Sequence, residues 1–133
     1  MIQPAEIQVR YSDLDVLGHV NNCVYLSYFE MARVHYFGQL LGQDWDWEKN
    51  GVILVKNEVE YHLPVLLHHK PTIAVRTEDI GNKSFTLSYK IYAGDQLMST
   101  GKSILVCYDS RRQKTVTIPS EMMKALEQMR TEQ

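Results

Sequence analysis

Residues 23–41, "CVYLSYFEMARVHYFGQLL", are apolar at most positions around a helical wheel. Three charged or ionisable residues interrupt the pattern: Glu30, Arg33 and His35. A helix that is apolar nearly all round is typically buried on most of its sides. Asn21 or Asn22 is a suitable N-cap, and Gly42 is a suitable residue to end the helix. The sequence therefore predicts one long, buried, central helix.

Period-two patterning follows this helix in several consecutive segments and predicts strands. In residues 51–63, "GVILVKNEVEYHL", the alternation predicts one core face, formed by Ile53, Val55, Val59, Tyr61 and Leu63. The same alternation continues in "TIAVRTEDI" (72–80), "SFTLSYKIY" (84–92) and "QLMSTGKSILVCY" (96–108). The "AGD" of residues 93–95 predicts a hairpin turn between the last two of these strands.

The remaining segments complete the order of elements. "AEIQVRYSD" (5–13) alternates loosely and predicts a first strand, and "TVTI" (115–118) predicts a short last strand. Pro119 and Ser120 then introduce a terminal helix whose apolar residues recur at helical spacing, namely Met122, Leu126 and Met129. Consecutive strands favour an antiparallel sheet with the long helix on one of its faces, which defines an α+β fold.

Composition and charge exclude several classes of protein. A chain of 133 residues fits one domain, 1–133, with enough length to bury a core. The net charge of −2 provides no basic field for nucleic acid or for an anionic membrane. Cys23 and Cys107 match neither a disulfide framework nor a zinc motif, which favours a reducing compartment. The sequence shows no signal-peptide pattern and no apolar run of membrane-spanning length, so we expect a cytoplasmic protein.

The polar stretch before the helix, "YSDLDVLGHVNN" (11–22), has a purely structural interpretation. Its "DVLG" carries the preferred residues of a type I turn, with Asp first and Gly fourth. Asp13 can form a local Asx turn, and one of the asparagines can cap the helix. These roles leave His19 unexplained, as well as the presence of both Asp13 and Asp15.

The same stretch also has a catalytic interpretation. In an extended segment, Tyr11, Asp13 and Asp15 point to one side. The helix that follows offers N–H groups without intrahelical partners, and such groups bind negative charge. A carboxylate beside them can attack a carbonyl or activate water while the N–H groups hold the oxyanion. A thioester is the substrate that suits such a site best, because a thiol with a pKa of ~8.5 can leave as a thiolate without a general acid.

The motif "YSDLDVLGHVNNCVYLSYFEMAR" (11–33) resembles the signature of hotdog-fold acyl-CoA thioesterases of the 4-hydroxybenzoyl-CoA thioesterase class. "VEYHLPVLLHHK" (59–70) and "IGNKSFTLSYKIY" (80–92) are similar to later strands of that family. The resemblance implies an antiparallel sheet of five or six strands wrapped around one long helix. It also implies homodimers with continuous sheets, often paired as homotetramers, with active sites between subunits.

The resemblance also implies roles for individual residues. Asp15 matches the catalytic carboxylate of the family, as nucleophile or general base, and Tyr11 matches a tyrosine near the site. His19 lies where plant-type acyl carrier protein thioesterases, which share "HVNN", place a catalytic histidine. Asn22 stands where some bacterial relatives have a histidine, and Leu17 stands where the plant-type branch has an asparagine. The donor that orients the thioester carbonyl therefore stays open.

Contacts to the rest of the substrate follow from the same resemblance. "GNKS" (81–84) is similar to the family's loop beside the nucleotide site, and flexible basic side chains suit the phosphates of coenzyme A. We expect substrate contacts from Gly18, Val20, Glu58, Lys83, Ser84, Arg111 and Arg112. Glu58 is also a candidate second acid, although an exposed or interface carboxylate is the simpler interpretation.

Other chemistry is less well supported. Cys23, four residues after His19, allows a Cys–His nucleophile, but a cysteine in the first turn of an apolar helix is more often core. His68 and His69 beside Pro71 predict a solvent-facing turn, and no zinc-like spacing occurs, so we expect no metal.

The predicted function is hydrolysis of an acyl thioester to a free acid and a thiol without a cofactor. The carrier is coenzyme A or acyl carrier protein, which share the same phosphopantetheine arm. A hotdog enoyl-CoA hydratase or dehydratase is an alternative within the fold, although the "HFP"-like context expected for such enzymes does not occur. A non-catalytic acyl-CoA-binding protein is the alternative outside enzymology.

Overall fold

A six-stranded antiparallel sheet packs on one long helix in the computed structural model, which describes residues 2–131. In chain order the elements are β1 (Ala5–Glu6), α1 (Val24–Leu41), β2 (Gly51–Tyr61), β3 (Pro71–Ile80), β4 (Ser84–Ala93), β5 (Gln96–Asp109), β6 (Lys114–Thr115) and α2 (Ser120–Thr131). A single 3-10 turn, Tyr11–Asp13, precedes α1. The predicted α+β class and the antiparallel sheet are confirmed.

The sheet order is β1-β3-β4-β5-β2, with the short β6 paired to the end of β5. The strands β3, β4 and β5 begin and end within one residue of their predicted bounds, and buried side chains alternate along them. Gly94 and Asp95 form the predicted hairpin, since Ala93 pairs with Gln96 and Gly94 has a φ of +62°. These three strands form the platform on which α1 lies.

The inner face of the sheet and the facing side of α1 form the core. Phe29 of α1 stacks on Tyr89 of β4, with ring centroids 4.3 Å apart and planes 7° apart. Gly101 of β5 permits this stack, because a Cβ there would lie 2.4 Å from the Phe29 ring. α2 packs beside β3 and buries its three predicted core residues, Met122, Leu126 and Met129.

The prediction of a helix buried nearly all round is wrong for the single chain. α1 ends as predicted at Leu41, where Gly42 has a φ of +82° and donates its N–H to the Gly38 carbonyl. Its buried residues lie on one side, namely Tyr25, Tyr28, Phe29, Ala32, Arg33, Tyr36 and Phe37. The opposite side exposes Met31 and Val34. The apolar pattern therefore includes surface that the chain does not bury by itself.

β2 also differs from its prediction. It is the outermost strand beside β5, and within residues 2–131 its other edge is unpaired. A register shift next to Val55 interrupts the alternation. The apolar residues that should have formed a core face are exposed, namely Ile53, Val55, Tyr61 and Leu63. The period-two pattern predicted the strand correctly, but the face that it assigned to the core is exposed in the single chain.

The amino-terminal strand is shorter than predicted, because β1 covers Ala5–Glu6 alone. The alternation of burial continues to Val9, but the chain then bends through the 3-10 turn. Tyr11, Asp13 and Asp15 therefore do not share one side. Tyr11 is 82% exposed, Asp13 is buried and Asp15 is intermediate. The two aspartates therefore have different surroundings.

Candidate active site

The segment between β1 and α1 forms a tight hairpin whose turn is Asp15–Gly18. Leu14 pairs with Val20 across the hairpin, and the carbonyl of Asp15 accepts the N–H of Gly18 at 3.0 Å. Gly18 has a φ of +78°, a backbone conformation that favours glycine. The turn predicted at "DVLG" is confirmed, and Gly18 acts in it through its backbone.

The carboxylate of Asp15 holds this turn from within. Its Oδ1 accepts the N–H of Leu17 at 2.9 Å and the N–H of His19 at 3.1 Å. The Asx-type contact predicted for Asp13 therefore belongs to Asp15. Its other oxygen, Oδ2, has no donor within residues 2–131, and the residue is partly exposed. Asp15 is thus a fixed carboxylate with one oxygen open to a ligand.

Both carboxylate oxygens of Asp13 are occupied by structural contacts. Its Oδ2 accepts the hydroxyl of Tyr28 at 2.7 Å and the N–H of Arg10 at 3.0 Å, and its Oδ1 pairs with the Arg10 guanidinium at 3.0 Å. Burial by itself raises the pKa of the Asp13 carboxyl, but these donors together hold that pKa below its ordinary value of 3.8. Asp13 ties the polar segment to α1.

The hairpin leads directly into the first turn of α1. Asn21 accepts two N–H groups, that of Cys23 through Oδ1 at 3.0 Å and that of Val24 through its carbonyl at 2.9 Å. Cys23 directly precedes α1, but its backbone is already helical and its side chain caps nothing, so the cap hydrogen bond comes from the predicted asparagine, Asn21. Asn22 is exposed, and its carbonyl accepts the Tyr61 hydroxyl at 2.9 Å. The N–H of Asn22 meets no acceptor in the described part of the chain.

Tyr25, the second residue of α1, belongs to the core as the sequence pattern predicts and also lies beside the hairpin. Its ring is buried against Tyr61 in an edge contact with centroids 4.9 Å apart. Its hydroxyl accepts the N–H of Val65 at 3.2 Å, so its own proton remains available to donate. Burial raises the pKa of the Tyr25 hydroxyl, the Val65 N–H opposes this rise, and the charge of Asp15 adds to it. Asp15 therefore lies within electrostatic reach of the start of α1.

Other predicted site residues lie on the same hairpin with different surroundings. The backbone of His19 bonds to Asp15 through both of its groups, since its carbonyl accepts the Asp15 N–H at 2.7 Å and its N–H donates to the Asp15 carboxylate, and the residue is partly exposed. Tyr11 lies on the exposed 3-10 turn, where its side chain bonds to nothing in the described chain. The side chain of Val20 is 2% exposed, so its predicted substrate contact is corrected to core packing.

Glu58 faces away from this hairpin. It lies on the outer face of the sheet, where it pairs with Lys56 at 3.0 Å. A cavity of about 520 Å³ on that face is lined by Glu58 together with Arg76, Glu78, Lys90 and Lys102, among others. Neither Asp15 nor His19 lines it. In one chain, therefore, Glu58 is not a partner of Asp15.

The predicted phosphate contacts lie at the opposite end of the sheet from the hairpin. Tyr61, at the last residue of β2, marks the Asp15 end, whereas Lys83 and Ser84 lie where β4 begins. With ten residues at ~3.3 Å each, β4 spans about 30 Å. One chain therefore does not bring Lys83 or Ser84 beside Asp15.

Two predicted basic contacts, Arg111 and Arg112, already have acidic partners. Arg111 pairs with Asp46 at 3.2 Å and also with Glu48, and Arg112 pairs with Asp109 at 2.9 Å. Lys83, by contrast, forms no ion pair with any residue from 2 to 131. Of the three cations, Lys83 has the charge most available to a phosphate.

The Asp15 hairpin, the long helix after it and the antiparallel sheet together point to one class of protein. The sequence matches the profile of the thioesterase-like superfamily over residues 9–126. The chain belongs to this superfamily, and its fold is the hotdog fold. The predicted resemblance to hotdog thioesterases is confirmed.

Individual relatives carry the comparison further. The chain is 32% identical to the long-chain acyl-CoA thioesterase FadM of Escherichia coli K12 over 127 residues, 93% of this chain and 96% of FadM. It is 31% identical to a thioesterase of Thermus thermophilus complexed with coenzyme A and Zn, with a TM-score of 0.84 over 98% of this chain and 96% of the other. The PA5185 protein of Pseudomonas aeruginosa PAO1 is 26% identical, with a TM-score of 0.87 over 98% and 96%.

Three further features of the described chain concern metal binding, the cysteines and membrane insertion. Residues 2–131 contain no group of three or more His, Cys, Asp and Glu side chains placed to hold a metal ion. Cys23 and Cys107 are unpaired thiols, the first exposed and the second buried. None of the helices within the same range is both long and apolar enough to cross a membrane.

Proposed function

We propose that this chain hydrolyses an acyl-CoA thioester to a free acid and coenzyme A, with Asp15 as the catalytic carboxylate. The observation that carries the proposal is the carboxylate itself. Its Oδ1 is fixed by the N–H groups of Leu17 and His19, and its Oδ2 is left without a donor in the described chain. The similarity to FadM, and to a thioesterase complexed with coenzyme A, supports the substrate class.

The chemistry follows from this geometry. Oδ2 attacks the thioester carbon, or removes a proton from the water that attacks it. The carbonyl oxygen then carries negative charge, which the Asn22 N–H and the positive end of α1 stabilise. The C–S bond breaks, and coenzyme A leaves as a thiolate without a general acid because thiolates are weak bases. Where Oδ2 is the nucleophile, water then hydrolyses the acyl-aspartyl anhydride to the free acid and restores the Asp15 carboxylate. His19, on the same hairpin, assists by orienting the substrate carbonyl.

A second copy of the chain completes the site in this proposal. The exposed apolar residues on the free edge of β2 support a homodimer with a continuous sheet, and two dimers form the homotetramer that the resemblance implies. Antiparallel pairing of two β2 strands would bring the Lys83 end of one copy beside the Asp15 end of the other. This arrangement reconciles the predicted phosphate contacts with their distance from Asp15. The protein would act in the cytoplasm, where its thiols stay reduced.

The decisive experiment measures thiol release from short, long and aromatic acyl-CoAs by the wild type and by Asp15→Asn. The Asn Oδ1 can still accept the two N–H groups of the turn, so the fold should survive, while turnover should fall by about a thousandfold or more. His19→Ala should lose turnover in part. Retention of most activity in Asp15→Asn would reject this carboxylate.

Two parallel readouts exclude the rival functions. A change in enoyl-CoA absorbance without thiol release would indicate a hydratase. Tight retention of acyl-CoA without release of any thiol would indicate a binding protein.

A further inference from the structure

Residues 62–70, between β2 and β3, anchor the Asp15 hairpin on its free side. Val65 is fully buried, and its carbonyl accepts the N–H of Val20 at 2.8 Å while its own N–H bonds to the Tyr25 hydroxyl. Leu66 pairs with His19 as an antiparallel bridge. The catalytic hairpin is therefore held between α1 and the Val65–Leu66 pair.

His69 binds both backbone groups of Leu66. The N–H of His69 donates to the Leu66 carbonyl at 3.1 Å, and the N–H of Leu66 donates to Nδ1 of the His69 ring at 2.9 Å. An N–H group cannot accept, so Nδ1 is unprotonated and the ring proton lies on Nε2. The anchor of the hairpin thus depends on a neutral imidazole.

The surroundings of His69 favour that neutral form. The solvent-facing turn predicted for both histidines is confirmed for His68 and wrong for His69, which is partly buried. The two rings lie with centroids 4.3 Å apart. Burial lowers the pKa of His69 from its ordinary value of 6.5, and His68 lowers it further. Other ionisable groups around this segment include Lys70, exposed beside His69, Asp15 and His19 of the hairpin, and Tyr25 of α1, whose hydroxyl bonds to Val65.

We propose, resting on the thioesterase function above, that His69 is a positioning residue for the Asp15 hairpin and acts as a neutral acceptor. If Nδ1 of His69 were protonated, its N–H and the Leu66 N–H would point at each other, and the hydrogen bond between them would be lost. Leu66 would then lose the contact that fixes it opposite His19, and the hairpin would loosen. Turnover should therefore fall in mild acid as His69 gains its proton.

Three variants test this role through the pH profile of turnover. In His69→Asn the side-chain Oδ1 can replace Nδ1 as acceptor but does not titrate, so activity should match wild type near neutrality and the acid limb should disappear. His69→Ala removes the acceptor and should lose about tenfold at neutral pH, the rate equivalent of one hydrogen bond. The matched control, His68→Asn, should keep the acid limb and shift it to higher pH, because a like charge is removed.

A spectroscopic measurement separates this proposal from the proposed function. Nitrogen NMR of the labelled wild type should show His69 with its proton on Nε2, and the Leu66 amide should shift as that ring titrates. If His69→Asn keeps the wild-type acid limb while thiol release persists, the positioning role is wrong and the thioesterase function stands. If no thioester is hydrolysed, the function fails, and the NMR titration still decides whether His69 holds Leu66. A ring protonated on Nδ1 would overturn the proposal outright.

Discussion

The hydroxyl of Tyr28 donates a 2.7 Å hydrogen bond to the Asp13 carboxylate, fifteen residues earlier in the chain. This contact joins the polar segment to the buried side of α1. It also separates the two aspartates of the motif, because Asp13 is bound by the fold and Asp15 keeps an oxygen open. Stability and catalysis should therefore respond to different carboxylates.

Tyr28→Phe should destabilise the protein by about 1.5–3 kcal/mol, the range for a hydrogen bond to a charged group. The substitution keeps the ring and removes the donor to Asp13. Urea unfolding at neutral pH measures the loss. Tyr92→Phe is the matched control, since the Tyr92 hydroxyl bonds to no residue in the described chain, and it should be nearly neutral. Equal effects of the two variants would contradict the assigned role of Tyr28.

The depressed pKa of Asp13 predicts a specific loss of stability in acid. Because this pKa is lower in the folded state than its ordinary value of 3.8, the unfolded chain binds a proton more readily. The contribution is complete above that value and is lost as the pH falls through the folded pKa. Unfolding free energies of wild type and Asp13→Asn should therefore differ at neutral pH and converge in strong acid. Parallel curves would show that Asp13 does not carry this dependence.

The sequence predicted the elements whose patterning depends on contacts within one chain. Along β3, β4 and β5, buried side chains that pack against the helices alternate with more exposed ones, so the alternation of apolar residues in the sequence predicts which side chains are buried. Glycines at positive φ, Gly42 and Gly94, also mark the ends of elements for local steric reasons. Such features need no knowledge of distant residues.

The failures share one cause, which is that the deciding contact is one that a periodic pattern does not encode. Asp13 and Asp15 look alike in "YSDLDV", and only Tyr28 and Arg10 distinguish them. The apolar residues of β2 and Met31 of α1 have the same composition as core residues but no partner surface in one chain. His69 accepts the Leu66 N–H through its ring, a side-chain contact that periodicity does not reveal.

Gly101→Ala should destabilise the core by about 1–3 kcal/mol, the usual cost of overpacking. Its Cβ would lie 2.4 Å from the Phe29 ring and 2.9 Å from the Glu58 carbonyl oxygen, and the ring is already stacked on Tyr89. Gly38→Ala in α1 is the control of opposite sign, because nothing lies within 4 Å of its Cβ. It should stabilise by about 0.5–1 kcal/mol through helix propensity. Thermal unfolding of both variants checks the pair, and a stabilised Gly101→Ala would contradict the close approach of α1 to β5.

The exposed edge of β2 predicts the route of assembly. Ile53 and Val55 are 42% and 61% exposed on that edge strand, so a homodimer with a continuous sheet would cover them. Lysines at a strand edge oppose pairing with a second strand, because they place like charges together. Ile53→Lys combined with Val55→Lys should therefore convert the assembly to monomers in light scattering after size exclusion.

The control Val34→Lys changes an equally apolar residue, 65% exposed on α1, and should retain a species of at least two chains. A double variant that assembles like wild type would show that the copies meet on another surface. Loss of turnover together with assembly would support a site shared between subunits, whereas an active monomer would place the whole site in one chain.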